Sequence, residues 1–168
     1  MNKKFKAVFL DRDGVINKNK DDYVKNINEL ELLPNIEKSI KELNRKKFLV
    51  IIITNQSAIN RGLTSLTNVK MIHGKIQKYL NHNGAHFDDV YFCPHTPNEN
   101  CFCRKPNPGL LLQAIQEHNI DSKRSWMVGD RDSDILSGKK AGCNTFLIKS
   151  NSNLEKAVNF ILEQDSQN

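Results

Sequence analysis

Two carboxylates, Asp11 and Asp13, flank a single arginine in the segment KAVFLDRDGVIN. Carboxylates this close repel one another unless a cation lies between them, so the pair suggests a Mg²⁺ site. The apolar residues 7–10 ahead of Asp11 read as a short buried strand, which puts Asp11 where that strand opens into a loop. Gly14 then lets the backbone turn sharply away. In isolation a D-x-D is more often a surface turn than a site, so the other strand ends must decide.

Three further strand ends carry matching chemistry. The apolar run 48–53 leads into Thr54, Asn55, Gln56 and Ser57, whose hydroxyls and amides can donate to phosphate oxygens without adding charge. Beyond the run 90–93 the chain reaches Arg104 and Lys105, just ahead of a helix start. Lys105 can neutralise both a nucleophilic carboxylate and a phosphoryl group in transfer. The run 125–128 opens into Gly129, Asp130, Arg131, Asp132, Ser133 and Asp134. Asp130 can complete the Mg²⁺ site, and Asp134, near a helix start, can orient the ligands without binding the metal. Arg12, Arg131 and Arg61, the last beyond the second strand, are further candidate phosphate contacts.

A second cluster follows the third strand. Cys93, His95, Cys101 and Cys103 have the spacing C-x-H-x5-C-x-C, three thiolates and an imidazole that suit tetrahedral Zn²⁺ with no open position. Closed sites of this kind are structural, and Cys103 directly precedes Arg104 and Lys105, so zinc would brace the loop that presents those cations. Cys143 reads as a small buried residue. His73, His82, His86 and His118 lie on or beside helices among polar residues and carry no assigned chemistry.

Positioning these groups takes alternating strands and helices. Apolar runs at 7–10, 48–53, 90–93, 125–128 and 145–148 read as strands. Between them, helical spacing appears at 34–46, at Val69, Ile72, Ile76 and Leu80, at 108–118, at 135–141 with Gly142 as its stop, and at 154–162, leaving a polar, frayed tail over 163–168. Such alternation implies βαβ units and a mostly parallel, right-handed doubly wound sheet. The strand ends then converge on one edge, where ligands bind in open α/β sheets.

The chain, 168 residues with 38% hydrophobic content, fits one domain over 1–168. Its longest apolar run is far too short for a bilayer and the N-terminus lacks a signal-peptide pattern, so a cytoplasmic location and no membrane partner are expected. The charge of +6 and pI of about 9.1 permit attraction to phosphorylated molecules. The basic residues are scattered, not striped, which argues for a small phosphorylated metabolite over nucleic acid.

The order DRDGV, Thr54, Lys105 and GDRDSD resembles the haloacid-dehalogenase-like superfamily over residues 6–148. The resemblance implies a Rossmann-like three-layer fold with strand order 5-4-1-2-3. It implies that Asp11 attacks phosphorus to form an aspartyl-phosphate, and that Asp13 protonates the leaving oxygen and then activates water. The implied Mg²⁺ ligands are Asp11, the Asp13 carbonyl and Asp130. Within the superfamily, CPH, CRKPNPGLLL, TNQSAINRG and DYVKNINELELLP resemble the small capless group of heptose-bisphosphate and histidinol phosphatases. Neither the stretch after DRDG nor the one after the third strand has room for a cap domain. Specificity then falls to the loops 17–23, 57–62 and 93–105, and a monomer is expected. A sugar bisphosphate is the favoured substrate and histidinol phosphate the alternative. A polynucleotide 3′-phosphatase shares the motifs but needs an aromatic stacking platform that the loops lack. A non-enzymatic zinc module would have no use for Asp11, Asp13, Lys105 and Asp130 together.

Overall fold

The computed structural model describes residues 4–149 and 153–167. Five strands form one parallel sheet: β1 (Ala7–Leu10), β2 (Leu49–Asn55), β3 (Asp89–Cys93), β4 (Trp126–Gly129) and β5 (Asn144–Leu147), in the order β3-β2-β1-β4-β5. This is the expected 5-4-1-2-3 order, with β1 in the centre because the chain, after building β2 and β3 on one side, crosses back to place β4 on the other. Leu10 stands level with Ile52 and Val128, so β1 and β4 end within a residue of each other while β2 runs on to Asn55.

The sheet is buried on both faces, and the strand sequences say why. In β1 Val8 and Leu10 point into one apolar cluster while Ala7 and Phe9 point into the other, and all four are fully buried. Helices α1 (Ile36–Arg45), α2 (Leu66–His82) and α5 (Leu154–Ser166) cover the first face through Ile36, Ile40 and Leu43, then Ile72, Ile76 and Leu80, then Leu154, Val158 and Ile161. Helices α3 (Gly109–Glu117) and α4 (Asp132–Lys140) lie on the other face with Leu110, Leu111 and Ala114 packed inward. Truncating any one of these branched core residues to Ala would cost about 2–5 kcal/mol.

Three helix boundaries differ from the sequence reading. Helix α1 begins two residues after Pro34 because Asn35 is left-handed at φ 60°, a conformation Asn tolerates. Helix α2 begins at Leu66, where the Ser65 hydroxyl accepts from the Asn68 N–H; this first turn is exposed, so no apolar periodicity reveals it. The tail expected to fray instead continues α5 to Ser166, and Lys6 Nζ pairs with Asp165 at 2.5 Å. Among the described residues, the segments after β1 and β3 hold loops and a single 3-10 turn (Pro97–Glu99) and build no cap, and no helix is long and apolar enough to cross a membrane.

Candidate active site

Asp11 follows β1 directly, and its backbone N–H still donates to Val128 O at 2.9 Å, so the side chain is fixed to the end of the sheet. Its Oδ1 accepts from the Arg12 N–H at 2.8 Å and from Lys105 Nζ at 2.9 Å. Oδ2 has no hydrogen-bond donor among the described residues. Lys105, 3% exposed, also donates to Asp134 at 2.6 Å and to Ile53 O at 2.7 Å. Burial pushes Asp11 up to about 7; Lys105 opposes this and Asp134 and Asp13 add to it. Burial works against the Lys105 charge, but Asp11 and Asp134 outweigh it and raise its pKa.

Asp13 is held differently. Burial alone would raise it, yet the Arg12 charge and hydrogen bonds from Asn17, Arg12 and Gln56 bring it below the usual carboxylate value. Arg12 Nη2 reaches both oxygens at 3.1 and 3.0 Å, Asn17 donates to Oδ1 at 2.9 Å, and Gln56 Nε2 donates to Oδ2 at 2.9 Å.

Carboxylate oxygens of Asp11, Asp130 and Asp134 lie within 4.8 Å of one another. Three carboxylates against the single Lys105 ammonium leave net negative charge, and burial with Asp134 nearby raises Asp130. Asp130 Oδ1 is buried without a hydrogen-bond partner, which is how a ligand aimed at a cation looks. Gly14, at φ +88°, leaves room for this acid: a Cβ there would stand 2.2 Å from Asp130 Oδ2. The donors are hard oxygens, so this group fits Mg²⁺.

The cysteine loop also closes as its spacing predicts. Sulfur separations among Cys93, Cys101 and Cys103 are 3.1 to 3.5 Å, and His95 Nδ1 lies 3.4 Å from Cys93 and 3.2 Å from Cys103. All the cysteines are free thiols. The separations sit slightly inside the ~3.8 Å edge of a tetrahedron with Zn–S bonds of about 2.3 Å, so the quartet fits zinc. Arg104 Nη1 donates to His95 O at 3.0 Å and Asn107 to Cys101 O at 2.9 Å, tying the quartet to the segment carrying Lys105.

A cavity of about 540 Å³ opens over Asp11 and Asp13, walled by Thr54, Ser57, Lys105 and Asp134, with Lys20, Tyr23, Arg104 and Arg131 among its lining residues. Arg12, Asn55 and Gln56 also line this cavity, with side chains engaged by the protein, whereas Arg61 does not line it. The Arg12 guanidinium is buried and engaged with Asp13 and His73, because a buried cation requires partners. Asn55 uses both ends of its amide on the Lys105 backbone, 3.1 Å each way, since the loop after β3 must be held to β2. Gln56 donates to Asp13 and to Thr54 Oγ1, the latter at 2.8 Å. Arg61 is exposed and outside the cavity, on a turn whose neighbour Asn60 reaches Glu99. Sequence reasoning missed His73, which is buried in α2 with Nε2 3.3 Å from Arg12 Nη1. The sequence reading groups it with the histidines among polar residues; its spacing from Val69 and Ile76 is the signal that could have put it on the buried stripe, but nothing in the spacing points to Arg12.

The D-glycero-beta-D-manno-heptose-1,7-bisphosphate 7-phosphatase of Helicobacter pylori is 42% identical over 148 residues, covering 87% of this chain and 84% of that protein. The chain belongs to this family of HAD-like phosphatases. The Pasteurella multocida member of the family is 37% identical over 169 residues, covering 94% of this chain and 91% of its own length. A HAD-hydrolase-like family model matches residues 102–165, from the zinc-type loop through α5. Among solved structures, D,D-heptose 1,7-bisphosphate phosphatase from B. bronchiseptica, complexed with magnesium and phosphate, matches with TM-score 0.90 at 29% identity. That match covers 95% of this chain and 99% of the other. Membership of the phosphatase family accounts for an edge that combines a buried Asp–Lys pair with a cluster of acids.

Proposed function

We propose that this phosphatase removes the 7-phosphate of D-glycero-D-manno-heptose 1,7-bisphosphate through an aspartyl-phosphate on Asp11. The observation that carries the reading is the arrangement of Asp11: it lies on the cavity floor, locked through Oδ1 to Lys105, with Oδ2 unengaged and Asp13 beside it. A carboxylate held this way can attack phosphorus in line, forming the Oδ2–P bond as the P–O bond to the sugar breaks.

Asp13 supplies the proton for the departing sugar oxygen. In the empty site Arg12, Asn17 and Gln56 keep it as a carboxylate, and a phosphate dianion arriving alongside raises it toward the acid form. Having given up its proton, Asp13 takes one from water, which attacks the acyl phosphate and returns Asp11. Lys105 offsets the charge of Asp11 and of the phosphoryl group; Thr54 and Ser57 offer hydroxyls from the wall. Asp11, Asp130 and the Asp13 carbonyl would hold Mg²⁺, which when bound lowers the repulsion between anionic nucleophile and anionic phosphate. Asp134 orients Lys105 from the start of α4. The cations Lys20, Arg104 and Arg131 on the cavity wall suit a substrate with a second phosphate.

The substrate is tested by comparing kcat/KM for heptose 1,7-bisphosphate, histidinol phosphate and a 3′-phosphorylated oligonucleotide. A preference of about a hundredfold or more for the first, roughly 2.7 kcal/mol, is expected, and an equal preference for either rival would overturn the assignment.

Zinc in the Cys93, His95, Cys101 and Cys103 quartet braces Arg104 and Lys105. Purified protein should carry one zinc per chain, and Cys101→Ser should lose it. Turnover in excess Mg²⁺ then falls about tenfold or more as the loop loosens. Full turnover by the zinc-free protein would remove the bracing role.

A further inference from the structure

We infer that His73, acting through Arg12, is a positioning residue for Asp13 and so controls proton delivery to the leaving oxygen. This rests on the acid and base role proposed for Asp13.

Arg12 is a charged side chain with 1% exposure. Its Nη2 donates to both Asp13 oxygens, its Nη1 lies 3.3 Å from His73 Nε2, and its Nε is buried without a partner. The guanidinium is thus suspended between a carboxylate on one side and an imidazole on the other. Arginine has donors only, so His73 Nε2 must be the acceptor and the ring proton must sit on Nδ1. The ring is also neutral, because burial, and secondarily the Arg12 charge, lower it to about 3.

The other groups on Asp13 come from the loop after β1, where Asn17 lies, and from the end of β2, which Gln56 follows. His73 alone brings in α2, from 61 residues away, and α2 is packed into the core through Val69, Ile72 and Ile76. Removing the acceptor would leave Nη1 and Nε both unpaired, and the guanidinium could then turn about its last bond and take Asp13 with it. A small displacement of a proton donor is costly, since about 1 Å of misplacement can lose a hundredfold in rate. A merely space-filling His73, packed near the Phe92 ring at 5.9 Å between centroids, would have no such effect.

Leaving-group dependence separates the two. A sugar alkoxide needs a proton to depart, whereas the nitrophenolate of p-nitrophenyl phosphate does not. For His73→Leu, kcat/KM on heptose bisphosphate should fall about tenfold or more while that on p-nitrophenyl phosphate stays within about twofold. His73→Gln, which restores an acceptor, should stay within about threefold of the parent on both. Equal losses on the two esters, or unchanged activity on the sugar, would overturn the inference. Asp13→Asn is the control. If it shows the leaving-group split and His73→Leu does not, the inference alone falls; if Asp13→Asn shows no split, the acid role itself falls. Should the Leu variant not fold, ¹⁵N spectra of the parent's His73 ring decide: a proton on Nδ1 with a bare Nε2 supports the inference, and a proton on Nε2 overturns it.

Discussion

Asp11→Asn yields a folded protein with the parent's zinc content, whose phosphate release falls by about 10⁴-fold or more. The amide has the carboxylate's shape and can still accept from the Arg12 N–H and Lys105 through its oxygen. It cannot form an acyl phosphate. Burial already disfavours the Asp11 charge, as its shift to about 7 records, so the substitution removes a source of strain and the melting temperature holds or rises. Lys105 keeps Asp134 as its counter-ion at 2.6 Å, so no buried ammonium is stranded. Phosphate release, melting temperature and zinc content measured on one preparation check this; turnover above about 1% of the parent would show that another group attacks phosphorus.

Lys105→Met is expected to remove turnover and also about 3–5 kcal/mol of stability. Methionine matches the lysine stem but leaves the buried carboxylates of Asp11 and Asp134 facing each other, and Ile53 O without its donor. The pH dependence has a definite sign. A carboxylate whose folded pKa is raised, as that of Asp11 already is, holds its proton in the folded state while the unfolded chain releases it. The penalty is therefore full above the folded value and vanishes as pH falls below the unfolded value near 4. Urea denaturation should accordingly show the deficit of Lys105→Met shrinking between pH 8 and pH 5. Adding Asp134→Asn to Lys105→Met should recover part of the loss, because the two sites are coupled through one ion pair. A deficit independent of pH would place the cost in packing instead of charge.

What could be read without coordinates was whatever a strand end or a ligand type imposes locally. Asp11, Thr54 and Asp130 each follow an apolar run, and a parallel sheet brings such ends to one edge; Lys105, well beyond β3, joins them because Asn55 holds its backbone to β2. The zinc-type quartet was legible for a similar reason: three thiols and an imidazole within eleven consecutive residues, 93–103, have little other use. The start of α2 was missed because its first turn is exposed and carries no apolar period, although Ser65 is a residue type that caps helices, and frayed polar tails and polar helix ends look alike in sequence.

The sequence by itself determined the layer order, the edge that carries chemistry and the identity of the acids, the lysine and the soft ligands, because these follow from periodicity and residue type. Only the tertiary structure decided which polar groups face the cavity. Arg12, Asn55 and Gln56 have the chemistry of phosphate contacts and line the cavity, but the fold gives each side chain a protein partner: Asp13 for Arg12 and Gln56, the Lys105 backbone for Asn55. Arg61 carries the same charge as Arg104, yet the turn at 57–62 points it to solvent while the His95 carbonyl anchors Arg104 at the cavity wall. His73 gained a role only when packing of α2 set an imidazole nitrogen against a buried guanidinium, a meeting of distant residues that no local pattern encodes.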